Sequence, residues 1–95
     1  MDFTNNTSKK QYKMVVEETM VVIDYMEAQD RIYLTHTEVP KGLEGKGYGS
    51  KIIQLALEDI EKRDLKLVPL CPFVAAFLKR HPEWKRILWE GVNIG

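Results

Sequence analysis

The chain has 95 residues, of which 44% are apolar and 29% charged, so its composition is that of one globular domain and excludes a disordered chain. Lys and Arg together number 14, as do Asp and Glu, and a neutral chain is not built for broad electrostatic capture of nucleic acid or anionic lipid. The single cysteine cannot form an internal disulfide, and no segment has the apolar character of a signal peptide or a membrane span. We therefore expect one domain over residues 1–95, located in the cytoplasm as a monomer or weak dimer.

The N-terminal half predicts three antiparallel strands. Residues 1–9 are polar, and we expect them to be frayed and flexible. Strand-forming residues dominate from Gln11 to Val39 in the segments KMVV, MVVIDYM and RIYLTHTEV, with turns at EET and EAQD. Alternation predicts that the second strand places Val21, Ile23 and Tyr25 on one face. In the third strand it predicts a shared face for four side chains: Ile32, Leu34, His36 and Glu38.

The C-terminal half predicts a helix, a strand and a second helix. Pro40 ends the third strand, and apolar residues at helical spacing after it predict a helix over roughly Gly47 to Arg63. The segment LKLVPLC predicts a short strand, and PFVAAFLKR opens with Pro72 at a favoured first helical position. The order is β-β-β-α-β-α. The fold class is therefore α/β with a mixed sheet, in which antiparallel strands precede a parallel pair joined by a right-handed crossover.

The segment PKGLEGKGYGSK places four glycines just before the first helix. The first turn of a helix carries unpaired N–H groups and the positive end of the helix dipole. Gly45, Gly47 and Gly49 would let those N–H groups approach a large anion such as a pyrophosphate, while Lys46 and Lys51 could add charge. The spacing of two common phosphate loops, G-x-x-x-x-G-K-S/T and G-x-G-x-x-G, is absent. The structural alternative is a flexible turn that binds no ligand.

The segment EGKGYG after HTEVP resembles the Gln/Arg-x-x-Gly-x-Gly/Ala signature of the GNAT superfamily of acyl-CoA N-acyltransferases. HTEVP, GKGYGSKI and LVPLCPFVAAFLKRHPEW further resemble a very small GNAT subgroup with a Cys-Pro segment after the last core strand. This resemblance covers Leu34 to Trp84. It implies a loop that cradles the coenzyme A pyrophosphate and a splayed parallel pair that admits the pantetheine arm. It also implies transfer of an acetyl group from acetyl-CoA to an amine.

The resemblance carries over onto individual residues of this chain. It implies a cofactor-binding set composed of Thr37, Val39, Glu44, Gly45, Lys46, Gly47, Tyr48, Gly49, Ser50, Cys71 and Phe73. Backbone N–H groups around Thr37 to Val39 would stabilise the negative charge that develops on the acetyl carbonyl. Two positions depart from the family pattern. Glu44 occupies the usual Arg or Gln position, and Cys71 with the Phe77-Leu78 pair replaces the usual asparagine and the tyrosine that protonates the departing thiolate.

Three side chains are candidates for catalysis. Cys71 lies where a strand leads into a helix, so it could accept an acyl group as a thiolate or donate a proton to the CoA sulfur; the structural alternative is a small buried apolar residue. An attacking amine must lose a proton, and we rank Glu38 ahead of His36 as the base. Their structural alternatives are a solvated strand end and a hydrogen-bonded sheet residue. One Cys and two dispersed His residues offer no metal-site spacing.

Two alternative functions remain at this point. The first is a CoA-binding module without turnover, which the missing tyrosine and Glu44 would both permit. The second is a KH-like binder of single-stranded RNA that uses Gly42 to Gly45 as its G-x-x-G clamp. Glu44 inside that clamp and the neutral net charge argue against RNA. The acceptor amine, whether a small molecule, a peptide or a protein lysine, is not identified, and no membrane partner is expected.

Overall fold

The structure, a computed structural model, describes residues 2–94 as a five-stranded sheet with strand order β1-β2-β3-β4-β5 and two α-helices. Strands β1 to β4 are antiparallel, and β4 pairs with β5 in parallel. The mixed sheet with a terminal parallel pair is therefore confirmed. The elements are β1 Asp2–Asn6, β2 Gln11–Val16, β3 Thr19–Ala28, β4 Arg31–Glu38, α1 Tyr48–Lys62, β5 Lys66–Pro69 and α2 Pro72–Arg80, with 3-10 helices at Lys41–Leu43 and Pro82–Ile87.

The N-terminal segment forms a strand that the sequence did not predict. Asp2–Asn6 pairs antiparallel with β2 along its whole length. The Phe3 ring stacks on Tyr12 with centroids 5.6 Å apart, and the Tyr25 hydroxyl donates to Asn5 Oδ1 at 2.6 Å. The expectation of a frayed segment over residues 1–9 is thus wrong for Asp2–Asn6, and the observed order is β-β-β-β-α-β-α. Met1 and Gly95, the ends of the predicted domain, lie outside the described residues.

The helices cover one face of the sheet. The buried side of α1 consists of Gly49, Ile52, Ile53, Ala56, Leu57 and Ile60. These side chains pack in one cluster with the alternate residues of β2 and β3, which confirms the shared face predicted for Val21, Ile23 and Tyr25. Burying one Ile or Leu side chain contributes about 1.5–3 kcal/mol, so this face holds most of the stability. The other alternate set, which includes Lys13, Val22 and Tyr33, is only half-buried.

A hydrogen-bonded cluster attaches the C-terminal half of α1 to the sheet. The Tyr12 hydroxyl donates to Asp59 Oδ2 at 2.7 Å, and Arg63 Nη2 lies 2.9 Å from Glu27 Oε1 on β3. Burial, followed by the hydrogen bond to the Asp59 carboxylate, raises the pKa of Tyr12 far above its ordinary value. Tyr12 is therefore neutral and serves as a donor. Because this end of α1 is held to β2 and β3, the first turn of α1 is also held in place near the end of β4.

A β-bulge divides β4 into two halves with opposite side-chain alternation. Asp24 pairs with His36 and Tyr25 with Leu34, so Thr35 is an extra residue in β4. The Thr35 hydroxyl donates to the Asp24 carbonyl at 3.1 Å and satisfies it at the irregular point. The predicted face shared by Ile32, Leu34, His36 and Glu38 is therefore wrong beyond Leu34. His36 and Glu38 turn away from the helices, whereas Thr37 pairs with buried Ile23 and turns towards them.

The parallel pair opens immediately after the bulge. Register between β4 and β5 ends at Leu34 with Pro69, and the Leu34 carbonyl accepts N–H bonds from Leu70 at 3.1 Å and Cys71 at 2.9 Å. Pro69 has no N–H to extend the ladder. Pro72 then begins α2, so the chain turns away from β4. The splayed parallel pair predicted from the sequence is present, and the last four residues of β4 have no partner in β5.

In the described part of the chain, no helix combines the length and the apolar character that crossing a bilayer requires.

Candidate functional site

A cavity of about 550 Å³ lies where β4, the glycine loop and the first turns of both helices meet. This volume falls within the range of small-molecule sites. The lining residues are Thr37, Glu38, Val39, Leu43, Glu44, Gly45, Gly47, Tyr48, Gly49, Ser50 and Phe73. The cavity therefore lies beside the last residues of β4, beyond the point where β4 and β5 separate.

The first turn of α1 faces this cavity without a cap. Gly47 occupies the N-cap position at φ 83°, and no side chain bonds the free N–H groups that follow it. The first turn contains no acidic side chain to compensate the helix dipole. Gly45 also has a left-handed φ of 80°, so the backbone conformation favours glycine at both positions. Unpaired N–H groups at the positive end of a 15-residue helix are suited to an anion.

Glycine is favoured at Gly49 for a different reason, close packing with Phe73. A Cβ atom at Gly49 would lie 2.8 Å from Phe73 Cζ, which is closer than carbon atoms approach in proteins. The absence of a side chain lets the Phe73 ring lie against the first turn of α1, where it is 44% exposed. Phe73 therefore forms an apolar wall between the two helix starts. This is a position suited to an extended, partly apolar ligand chain.

Cys71 lies next to the cavity and pairs with one of its lining residues. Its Sγ is 3.4 Å from Thr37 Oγ1, and either group can donate the hydrogen. Cys71 is buried, with 5% of its surface exposed, and is the N-cap of α2. The β-bulge makes this contact possible, because regular alternation would turn Thr37 away. The contact links a buried sulfur to a residue of the cavity wall.

Glu38 and His36 lie at the open side of the sheet. Glu38 lines the cavity, and His36 does not. His36 Nε2 is 3.6 Å from Glu38 Oε2, with side chains that are 59% and 69% exposed. Both side chains are accessible from solvent. Of the two, Glu38 is the one beside the cavity.

The basic side chain between Gly45 and Gly47 is turned away from the cavity. Lys46 Nζ lies 3.5 Å from Glu17 Oε2 on the turn between β2 and β3, and the Tyr48 hydroxyl donates to the same oxygen at 3.4 Å. The charged residues that do line the cavity are Glu38 and Glu44. Backbone N–H groups therefore supply the attraction for an anion, while the lining side chains oppose it.

The structure brings together most of the side chains predicted from the sequence. Of the predicted cofactor set, Lys46 and Cys71 lie outside the lining. Of the three catalytic candidates, Glu38 lines the cavity, and His36 and Cys71 do not. Sequence reasoning missed Leu43 and Glu17. Leu43 could have been found as an apolar residue within a polar loop, but the contact of Glu17 spans 29 positions in the chain and has no local signal. Over residues 2–94, no group of His, Cys, Asp and Glu is arranged to hold a metal ion.

Comparison with known proteins gives a consistent picture. The model of a family described as GCN5-related N-acetyltransferase matches residues 11–87. Among solved structures, a GCN5-like protein from Staphylococcus aureus, determined by NMR in solution, matches with a TM-score of 0.72 at 20% sequence identity. The match covers 97% of this chain and 90% of that chain, and at this identity it concerns the fold. No curated protein matches the sequence.

Proposed function

The chain belongs to the GCN5-related N-acetyltransferase family, and from this premise we propose that it binds acetyl-CoA in the Gly45–Ser50 loop and transfers the acetyl group to an amine. Membership supports acetyltransferase activity in general. We propose in addition which coenzyme is bound, which residues bind it and what each of them does. The KH-like alternative has no comparable support.

One observation carries the proposal: the uncapped first turn of α1 opens into the cavity. An α-helix that begins with a left-handed glycine, lacks a capping side chain and lacks an acidic residue in its first turn leaves its N–H groups for a ligand. The N–H groups that follow Gly47 would hold the diphosphate of the coenzyme. The pantetheine arm would follow the Phe73 wall towards the gap beyond Leu34.

The remaining residues suit the acyl transfer. Acetyl-CoA, when bound, supplies the acetyl group as a thioester. The amine nitrogen attacks the carbonyl carbon, so that a C–N bond forms, the C–S bond breaks and the CoA thiol departs. Glu38 would accept the proton of the amine, directly or through water. The Thr37–Cys71 pair would return a proton to the departing sulfur, since it offers a donor at the end of β4. Backbone N–H groups around Thr37 to Val39, where β4 has no partner in β5, would stabilise charge on the carbonyl oxygen.

Thermal unfolding with acetyl-CoA or free CoA tests binding, and mass spectrometry of candidate amines tests transfer. A ligand present at about 100 times its Kd stabilises the folded state by about 2.7 kcal/mol. We expect both coenzyme forms to raise the melting temperature and acetyl-CoA alone to yield an acetylated amine. A melting temperature that neither form raises at millimolar concentration would refute the proposed binding site.

A CoA-binding module without turnover is the second candidate. The observation that favours it is the burial of Cys71 outside the cavity lining, in a chain without the usual tyrosine acid. Binding of acetyl-CoA without acetylation of small amines, basic peptides or proteins would establish the module. Acetylation that depends on Glu38 would establish the enzyme.

A further inference from the structure

The turn between β2 and β3 has an unusual backbone. Glu17 and Glu18 connect the two strands, and both have positive φ angles, 49° and 64°. A two-residue hairpin turn of this kind favours Asn and Gly, because other side chains are strained there. Strained residues that persist in a fold are a reason to look for a function. The turn is kept in shape by the Thr19 hydroxyl, which donates to the Val16 carbonyl at 3.0 Å.

Glu17 connects this turn to the glycine loop. Its Oε2 atom accepts hydrogen bonds from Tyr48 at 3.4 Å and Lys46 at 3.5 Å. Lys46 lies between the two left-handed glycines, and Tyr48 is the first residue of α1. Glu18 makes no hydrogen bond or ion pair with Lys46 or Tyr48 in residues 2–94. Of the two neighbouring carboxylates, Glu17 contacts the glycine loop and Glu18 does not contact Lys46 or Tyr48.

This contact places a negative charge in competition with the proposed ligand. Lys46 is the basic side chain within the loop, and Glu17 holds it while Glu38 and Glu44 line the cavity. A diphosphate bound at the first turn of α1 would be attracted by Lys46 and repelled by Glu17. While Lys46 faces Glu17, its charge lies outside the cavity lining, and close contact with a phosphate there would require the side chain to move. Because both side chains of this pair are half-exposed, the exchange costs little free energy and is reversible.

We propose that Glu17 acts as an internal competitor of the coenzyme phosphates: it occupies Lys46 and Tyr48 in the free protein and thereby lowers the affinity of the loop for CoA. This inference rests on the proposed function, since it concerns the ligand of the same site. Glu17 is a positioning residue with respect to Lys46. Any event that neutralises or displaces its carboxylate would tighten the binding of the coenzyme.

Isothermal titration calorimetry with free CoA tests the proposal on four proteins: wild type, Glu17→Gln, Glu18→Gln and Lys46→Gln. Glu17→Gln should bind CoA about three- to tenfold more tightly, because one nearby repulsion is removed and one cation is released. Glu18→Gln removes the same charge one residue away and should change the affinity less than twofold. Salt should weaken binding more steeply for Glu17→Gln between about 50 mM and about 300 mM, since Lys46 then contacts the ligand.

A double variant separates competition from general repulsion. In the Lys46→Gln background, Glu17→Gln should lose most of its gain in affinity. A gain that persists there, equal effects of Glu17→Gln and Glu18→Gln, or weaker binding by Glu17→Gln would each overturn the proposal. If wild type and Glu17→Gln both fail to bind CoA, the proposed function itself fails; binding by wild type without the Glu17 effect refutes the competitor alone.

Discussion

Replacing Gly47 by Ala perturbs the backbone at the start of α1 and little else. Gly47 has a φ of 83°, and a Cβ atom built there meets no atom within 4 Å. The substitution therefore introduces no steric clash with the rest of the protein. Its cost is the left-handed conformation, about 1–2 kcal/mol for a residue with a side chain.

The expected net loss of stability is about 1 kcal/mol. Alanine restricts the unfolded chain more than glycine and returns about 0.4–1 kcal/mol of the strain. For a domain of this size, a change of 1 kcal/mol lowers the melting temperature by about 4–8 °C. Gly42→Ala is a matched control in the same loop, because its Cβ is equally free of contacts and its φ lies outside the left-handed region. That variant should be unchanged or slightly more stable.

Urea unfolding and coenzyme binding together make the experiment decisive. Relief of strain would rotate the peptide at the N-cap, and the N–H groups after it would no longer converge on one anion. We expect Gly47→Ala to remain folded at 25 °C and to lose most of the thermal shift produced by acetyl-CoA, while Gly42→Ala retains it. Equal stability and equal thermal shifts in the two variants would refute both the conformational and the ligand-binding argument.

Four further substitutions test the chemistry and the core. Cys71→Ala should bind CoA normally and acetylate amines about 100-fold more slowly in mass-spectrometric assays; unchanged transfer would remove the sulfur from the reaction. Glu38→Gln should slow acetyl transfer about 10- to 100-fold with little change in CoA affinity. His36→Gln should slow transfer less, and equal transfer rates in the two variants would contradict this ranking. Tyr12→Phe should lose about 1–2 kcal/mol in urea unfolding at pH 7, because Asp59 loses a buried donor but keeps partial exposure to water. Since the pKa of Tyr12 is raised in the folded protein, its contribution is complete below about pH 10 and declines as pH rises above that value, so the two proteins should converge in strong alkali.

The periodic parts of the fold follow from local sequence, and the exceptions depend on distant partners. The helical spacing after Tyr48 and the proline at the start of α2 predict elements that the structure contains. The polar segment DFTNN carries no strand pattern of its own. It forms β1 because Phe3 stacks on the Tyr12 ring and its backbone pairs with β2. These tertiary contacts override the low strand propensity of the segment.

The candidate site shows the same division. The glycine loop and its closeness to the end of β4 follow from residue order, because a strand, a loop and a helix occur in succession. Residue order does not predict on which side of β4 each residue lies, because one inserted residue reverses the alternation and leaves no signal in the composition. The contact between Glu17 and Lys46 joins two turns that only the folded sheet brings together.

The inserted residue Thr35 separates the effects of mutations in the two halves of β4. Ahead of Thr35 the strand supplies core side chains such as Ile32 and Leu34, and after it the strand supplies polar groups. Deleting Thr35 would exchange the orientations of Thr37 and Glu38, sending a carboxylate inward and a hydroxyl outward, while the preceding half stayed in register. Substitutions in the second half of β4 therefore alter the cavity side of the strand, whereas substitutions in the first half alter the core.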